Sequence, residues 1–383
     1  MSPRVALVSL RNDPGWTTPA RFIAGDVTRR GFSTALRRRG WTVDVVVEAT
    51  FDADVVDGVG DGNDEGVRWQ FRRPDPAVAA LRAVGHLAGD PSPHIRTPGL
   101  HLVRAVRSLN AGVGPDLIHS FDLVFYPNLL ALSRLARPLL AHFHGGAPAR
   151  RPGWRVAERL ALSKVDRLLF TTVDQAVPWI ESGYPGDRVR TILETSVLVP
   201  GAVPLGLPGS PALVCVGRLD NVKDPLTVLA GFDRLLKTHP NAVLHLAWTD
   251  APLHAEILAR AAAFGPAVRL HGRLLPADAF ALIANADALL QASVREVCGV
   301  AVLEAMAAGT PPVVTDIPAF TAVLGDCGAR FSAGDAEGMA RAIRGVLADP
   351  TQRTRCRARF DAALSFDALA MELDAIYREL LHP

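Results

Sequence analysis

The sequence predicts two α/β domains in tandem, each a doubly wound parallel sheet, and three observations lead there. Short β-branched runs alternate with longer amphipathic segments along most of the chain. Repeated strand–helix–strand units of that kind give parallel sheets with helices on both faces. The alternation breaks once, at a Pro- and Gly-rich stretch, and then restarts. Finally, 383 residues are too many for one core and suit two domains.

Taken in order, Val5 to Leu10 reads as a buried strand, followed by a loop with Pro14 and Gly15. The helical pattern from Asp26 to Arg39 stops at Gly40, a natural C-cap. Trp41 to Val47, Asp116 to His119, Leu139 to Phe143 and Arg167 to Thr171 are further strands. Leu198 to Pro211 then holds seven Pro or Gly in 14 residues, against 61 in 383 for the whole chain. Such a shift marks a linker. Beyond it come Ala212 to Val216, Val243 to Ala247, Val268 to Leu270, Ala288 to Gln291 and Pro312 to Thr315. The expected organisation is 1–197 for the first domain, 198–211 for the linker and 212–365 for the second domain. An amphipathic helix, 366–383, is expected to pack back across the linker. A ligand of such a pair sits at the carboxyl ends of the strands, facing a central cleft.

Composition narrows the function classes. With 49% hydrophobic and 21% charged residues the chain is globular rather than disordered. Its 41 basic and 39 acidic residues leave a net charge of +2, which argues against a nucleic-acid binder. Cys215, Cys298, Cys327 and Cys356 are far apart in sequence, with no C-x-x-C spacing. Reduced thiols in a cytoplasmic protein are expected, without a structural zinc. Val5 to Leu10 is too short an apolar run for a signal peptide, and no stretch nears the roughly 18 apolar residues of a membrane span. Asp61 to Gly66 begins like a calcium loop, but its twelfth position is Arg72 rather than a glutamate. Val67, Trp69 and Phe71 alternate with polar residues there, so an acidic loop before a half-buried hairpin strand is the better reading, and no metal is expected. Arg29, Arg30, Arg37, Arg38 and Arg39, with Arg150 and Arg151, form basic clusters that suit a solvated helix face. Peripheral contact with an anionic membrane, at the inner face, or a phosphorylated acceptor are the other readings.

Two blocks carry the chemistry. In the first, Gly217-Arg218-Leu219-Asp220-Asn221-Val222-Lys223-Asp224-Pro225 follows the first strand of the second domain. Gly217 lets the backbone approach a ligand, and Arg218 and Lys223 bring two cations to a strand's carboxyl end, where they neutralise a diphosphate without a metal. In the second, a strand ends near Ala292 and a helix begins close to Gly299, so the amides of Gly299, Val300 and Ala301 face out of a helix N-terminus, a site for phosphate. Glu304 lies a turn inside and leans back toward that N-terminus, placed to accept hydrogen bonds from a ribose diol. Glu296, in the preceding loop, reaches hydroxyls of a bound sugar.

Together, Gly-Arg-Leu-x-x-x-Lys-Asp-Pro and Glu296-x7-Glu304 with its Ala305-Met306-Ala307-Ala308-Gly309-Thr310-Pro311 tail resemble the retaining glycosyltransferases of family 4. The resemblance implies the GT-B fold, two Rossmann-like domains, and a metal-independent transfer from a nucleoside-diphosphate sugar to an acceptor hydroxyl. It gives Arg218 and Lys223 to the donor diphosphate, Glu304 to the ribose and Glu296 to the transferred sugar. The base falls near the turn at Arg273-Leu274, held largely by backbone. Ala141-His142-Phe143-His144-Gly145 is similar to the family's strand-end His-Gly, which puts His144 beside the reacting centre. Gly15 and Trp16 fall where the family has a Gly-rich loop near the acceptor, and Trp16 offers a stacking face. A UDP-sugar is the first expectation for the donor and GDP-mannose the second. The acceptor, a small molecule, glycan or lipid, is left open, because Glu194-Thr195-Ser196 replaces the usual Pro-Asn-Gly before a short linker. Pro312 replaces a usual Val, a structural variation. Arg-, Ala- and Gly-rich usage with few Lys points to a GC-rich bacterial genome. A nucleotide-sugar epimerase and a non-catalytic sugar-nucleotide binder share this architecture. A dinucleotide-dependent dehydrogenase does not fit, since no G-x-G-x-x-G follows either first strand.

Overall fold

Val5 to Val8 have no exposed surface, as expected of an inner strand buried on both faces. In the computed structural model they form β1 (Arg4–Ser9) of an eight-stranded sheet. The residues described are 2–10, 15–57, 66–87, 97, 99–109, 114–121, 126–135, 137–145, 152–195 and 205–382. The chain divides into two units, Met1–Ile192 with Phe366–Pro383, and Leu193–Ser365.

The first sheet adds β2 (Thr42–Glu48), β3 (Ala53–Asp57), β4 (Val67–Arg72), β5 (Leu117–Ser120), β6 (Leu139–His142), β7 (Arg167–Phe170) and β8 (Val189–Thr191). Their order is β3-β4-β2-β1-β5-β6-β7-β8, and all pairs are parallel except the β3–β4 hairpin. That antiparallel edge is the hairpin strand expected from the alternation of Val67, Trp69 and Phe71, on an otherwise parallel sheet. Val67, Trp69 and Phe71 of β4 point inward while Arg68, Gln70 and Arg72 remain half-exposed. Residues 61–65, the calcium-like loop, lie outside the described residues, as do Asp13, Pro14, Arg150, Arg151, Ser196 and 198–204.

The Phe366–Leu381 helix belongs to this first unit. Leu373 and Tyr377 are fully buried, and the Phe366 ring packs on Gly31 so closely that any Cβ there would come within 2.3 Å of it. Trp41 Nε1 donates to Asp374 at 2.7 Å. The arginines of the Val27–Arg38 helix serve the same packing: Arg38 pairs with Asp367 at 3.2 Å and Arg39 with Asp374 at 3.6 Å. Arg29, expected on a solvated face, is instead buried against Asp26, because its turn of the helix faces inward.

The second sheet holds β9 (Ala212–Gly217), β10 (Val243–Trp248), β11 (Val268–Gly272), β12 (Ala288–Gln291), β13 (Pro312–Thr315) and β14 (Ala329–Phe331). The order is β11-β10-β9-β12-β13-β14, and every pair is parallel. Switching direction from β9 to β12 opens a crevice at the strands' carboxyl ends, where ligands of such sheets bind. One apolar cluster lies on each face: Val302, Met306 and Phe320 on one side, Phe232, Leu246 and Ile343 on the other. All four cysteines are buried and unbridged. Although 29 residues apart in sequence, Cys327 and Cys356 meet side chain to side chain, a contact their spacing did not announce.

Candidate functional site

The strongest group of candidates lies at the carboxyl ends of β9 and β12. After Gly217 the chain turns through Asp220, whose Oδ1 accepts the amides of Val222 at 3.0 Å and Lys223 at 2.9 Å. Asp224 follows in the left-handed region (φ 45°) and caps the next helix, accepting from the Thr227 amide at 3.2 Å; Pro225 then opens that helix. This turn fixes where Lys223 points. The loop after β12 is tied to it backbone to backbone, through Val294 N to Val222 O at 2.9 Å.

Across this join the Lys223 ammonium pairs closely with Glu296, and both side chains are largely buried. Arg218 pairs with Asp220 at 3.0 Å but keeps about half of its side chain exposed. The structure therefore brings Gly217, Arg218, Lys223 and Glu296 together. A Cβ at Gly217 would meet only Gln291 and Lys223 atoms at 3.6–3.9 Å, ordinary contact distances, so the protein itself does not demand glycine there.

Gly299 is different. It sits at φ 79°, and a Cβ would come within 2.5 Å of the Phe320 ring, so both backbone and packing require glycine. It begins the Val300–Ala308 helix without a side-chain cap, and its carbonyl accepts the amides of Val302 and Leu303. The amides of Gly299, Val300 and Ala301 have no acceptor among the described residues. They remain available to an anion, with the positive end of the helix dipole behind them. Glu304, one turn on, has no ion-pair or hydrogen-bond partner among the described residues, and burial pushes its carboxyl up to about 7. Gly309 ends the helix at φ 75°, and Thr310 then bonds back to Ala305 and Ile283, which accounts for the Gly-Thr-Pro tail.

Arg273 and Leu274 follow β11 in the turn after Gly272 (φ 68°). Just before them, a register shift frees His271 from strand pairing. Its Nε2 meets His245 Nδ1 at 3.0 Å, and His245 Nε2 donates to the Pro208 carbonyl at 2.9 Å. Burial holds both imidazoles below the usual histidine range. No local motif signals this pair.

The first-unit candidates are built from rings. His142 ends β6 fully buried, and His144 lies two residues on, partly exposed, with ring centroids 4.4 Å apart. Phe121, just past β5, stacks on both His119 (4.5 Å) and His144 (5.5 Å). His119 Nδ1 meets the Tyr377 hydroxyl of the C-terminal helix at 2.5 Å. Burial, and then the charges of His142 and His144, hold His119 well below the usual histidine range. Sequence reading finds His144 but misses His119, Phe121 and Tyr377, which are distant in the chain. Trp16, expected to offer a stacking face, packs its indole on Gly25 and meets Phe22 edge-on at 4.8 Å; Gly15 beside it is exposed.

The two α/β units, whose sheets are parallel apart from the β3–β4 edge, have the GT-B fold, and solved structures of similar architecture share it. Sucrose-phosphate synthase from Thermosynechococcus elongatus is 20% identical, with 99% of each chain covered and a TM-score of 0.66. Anabaena HepE, crystallised in complex with UDP, is 16% identical, with 98% of this chain and 100% of its own covered and a TM-score of 0.62. A family model described as "Glycosyl transferase 4-like domain" matches residues 26–193, and one described as "Glycosyl transferases group 1" matches residues 210–349. The chain belongs to this family of glycosyltransferases. Among curated proteins, the glycogen synthase of Mycobacterium tuberculosis is 29% identical over 261 residues, which is 64% of this chain and 63% of that protein's length. A D-inositol 3-phosphate glycosyltransferase of Kineococcus radiotolerans is 25% identical over 408 residues, covering 93% of this chain and 90% of its own. The match with the glycogen synthase thus spans a little under two thirds of that relative.

Proposed function

We propose that the protein transfers a glycosyl group from a nucleoside-diphosphate sugar to an acceptor hydroxyl, with retention and without a metal. The observation that carries this reading is the joining of the Lys223 loop to the loop of Glu296, together with helix amides at Gly299, Val300 and Ala301 that have no acceptor among the described residues. The donor diphosphate rests on Arg218, Lys223 and the amides of Gly299, Val300 and Ala301, and these neutralise the charge that grows as it leaves. Glu304 accepts from the ribose diol, Glu296 contacts the transferred sugar, and the Arg273-Leu274 turn borders the base. His144, Gly15 and Trp16 are the candidates on the acceptor side.

As the bond from anomeric carbon to phosphate oxygen breaks, an oxocarbenium-like centre forms and the acceptor oxygen bonds to it from the same face. The leaving phosphate oxygen takes the acceptor proton, so no protein base is required. UDP-sugar is the first donor to test, supported by a neighbour of the same fold crystallised with UDP, and GDP-mannose the second. The acceptor class stays open. No helix among the described residues is long and apolar enough to cross a membrane, and a cytoplasmic enzyme, with at most peripheral membrane contact, is the setting proposed.

The test is turnover of UDP-glucose and GDP-mannose with an acceptor panel, with and without EDTA, reading diphosphate release and the anomeric configuration of the product. Retained configuration and unchanged rate in EDTA are expected. Inversion, or loss of activity on chelation, overturns the mechanism, and an epimerised donor without transfer moves the assignment to an epimerase.

A further inference from the structure

At the amino ends of the first sheet's strands, the opposite end from His142 and His144, lies a cleft of about 1030 Å³. Arg4 at the start of β1, Thr42 at the start of β2, Arg68 near the start of β4 and Asp116 just before β5 line it, with Arg378 and His382 from the C-terminal segment. None of these residues serves the donor or acceptor assignments above. The arginines are held from behind. Asp44, with no exposed surface, takes the Nε of Arg4 at 2.6 Å and that of Arg68 at 2.8 Å. Asp374 takes the Nε of Arg378 at 2.8 Å, and that guanidinium lies 5.8 Å from the Trp41 ring centre. Neither carboxylate lines the cleft, whereas Asp116, which does, already accepts the Arg4 amide at 2.8 Å. Arg68 and Arg378 keep 43% and 51% of their side chains exposed, and among the described residues each meets its carboxylate through Nε.

We propose that this cleft is a second ligand site, which binds a small phosphorylated molecule bearing hydroxyl groups. A guanidinium is a planar fork of donors that matches a phosphate, and its charge is permanent. With Nε tied back, the Nη groups of Arg68 and Arg378 are left for the ligand. The carboxylates behind them also fix both side chains before binding, which lowers the ordering cost. Because Asp44 and Asp374 stand behind the wall, a ligand phosphate meets the guanidinium edges first. One phosphate fills a small part of the cleft. Thr42, Asp116 and His382 line the remainder and offer partners to hydroxyls rather than to an apolar group. The reacting end of the sheet lies on the far side, so the ligand held here is neither the donor nor the acceptor of the proposed transfer.

Calorimetric titration of the full chain with glucose 6-phosphate, glycerol 3-phosphate, inorganic phosphate and glucose tests this. At least one of the two phosphate esters is expected to bind, more tightly than inorganic phosphate, and glucose is not. An Arg218→Ala/Lys223→Ala double variant should bind that ester as the parent does, which separates the cleft from the donor site. Arg68→Ala and Arg378→Ala should each weaken it by about tenfold or more, the size of a charge-assisted hydrogen bond. Arg68→Lys should recover only part of the loss, because an ammonium keeps the charge without the fork. Hydrogen exchange should slow on binding in the segments around Arg4, Arg68 and Arg378. Arg68→Ala leaves Asp44 paired with Arg4, so its melting temperature without ligand should stay near the parent's. Failure of both esters to bind would overturn the proposal, as would binding no tighter than that of inorganic phosphate. So would binding that survives Arg68→Ala and Arg378→Ala; if the double variant alone abolishes it, the phosphate belongs to the donor site.

Discussion

Lys223 and Glu296 stand on two loops joined backbone to backbone, whereas His144 stands in a stack of rings drawn from β5, β6 and the C-terminal helix. In the second unit each turn is fixed by groups a few residues away: Asp220 folds the loop, Asp224 and Pro225 start a helix, Gly299 and Gly309 bracket another. In the first unit the strand-end histidine is held by Phe121, His119 and Tyr377, the last more than 230 residues further on. Charges held by local turns leave a recognisable spacing in the sequence. Side chains held by stacking do not, because a ring packs on whatever the topology brings beside it.

The predictions probe that contrast, and the largest effect is expected at Lys223. Lys223→Ala should lower turnover by roughly 10²–10³-fold, as the loss of one preorganised positive group does. Its melting temperature should fall far less in proportion. A variant that turns over at the parent rate would remove Lys223 from the mechanism.

Gly299 and Gly217 separate packing from ligand approach. Gly299→Ala must adopt a left-handed backbone and displace Phe320, so chemical denaturation should report a loss of about 2–4 kcal/mol. Gly217→Ala meets only ordinary contacts and should stay within about 1 kcal/mol of the parent. A drop in diphosphate affinity for Gly217→Ala, without a drop in stability, would show that the ligand makes the demand.

Glu304 adds a pH signature. Its carboxyl is raised from 4.5 to about 7 by burial. The folded state thus keeps a proton that the unfolded chain releases, and stability should decline as pH rises from about 4.5 to about 7 and level off above. Donor affinity should run the other way, improving as pH rises through about 7, because only the ionised form accepts two ribose hydroxyls. Glu304→Gln should flatten both profiles; profiles that persist would belong to another group.

The smallest effect is expected in the ring cluster. Tyr377→Phe removes one buried hydrogen bond to His119 and should cost about 1 kcal/mol in denaturation, with a modest loss of turnover. A turnover loss as large as that of Lys223→Ala would mean that the ring stack does more than hold His144.

The fold was legible because strand runs such as Val5–Leu10 and Ala288–Gln291 are short, apolar and evenly spaced. The β3–β4 hairpin edge was only half visible, through the alternation of Val67, Trp69 and Phe71. Lys223, Glu296, Gly299 and Glu304 were legible through spacing. The Glu194–Cys298 and His245–His271 contacts were not, since each joins segments that only the folded sheet brings together. The burial of Arg29 was missed because helical spacing alone does not say which face turns inward.

The proposed site places the diphosphate on Arg218, Lys223 and the Gly299 helix N-terminus. Thermal stabilisation by UDP, GDP, ADP and TDP tests it most directly, with Arg218→Ala and Glu304→Ala alongside. Stabilisation by one nucleotide, UDP first, that is lost in both variants is the predicted result. A folded parent that none of the four stabilises, or stabilisation that survives both substitutions, would contradict it.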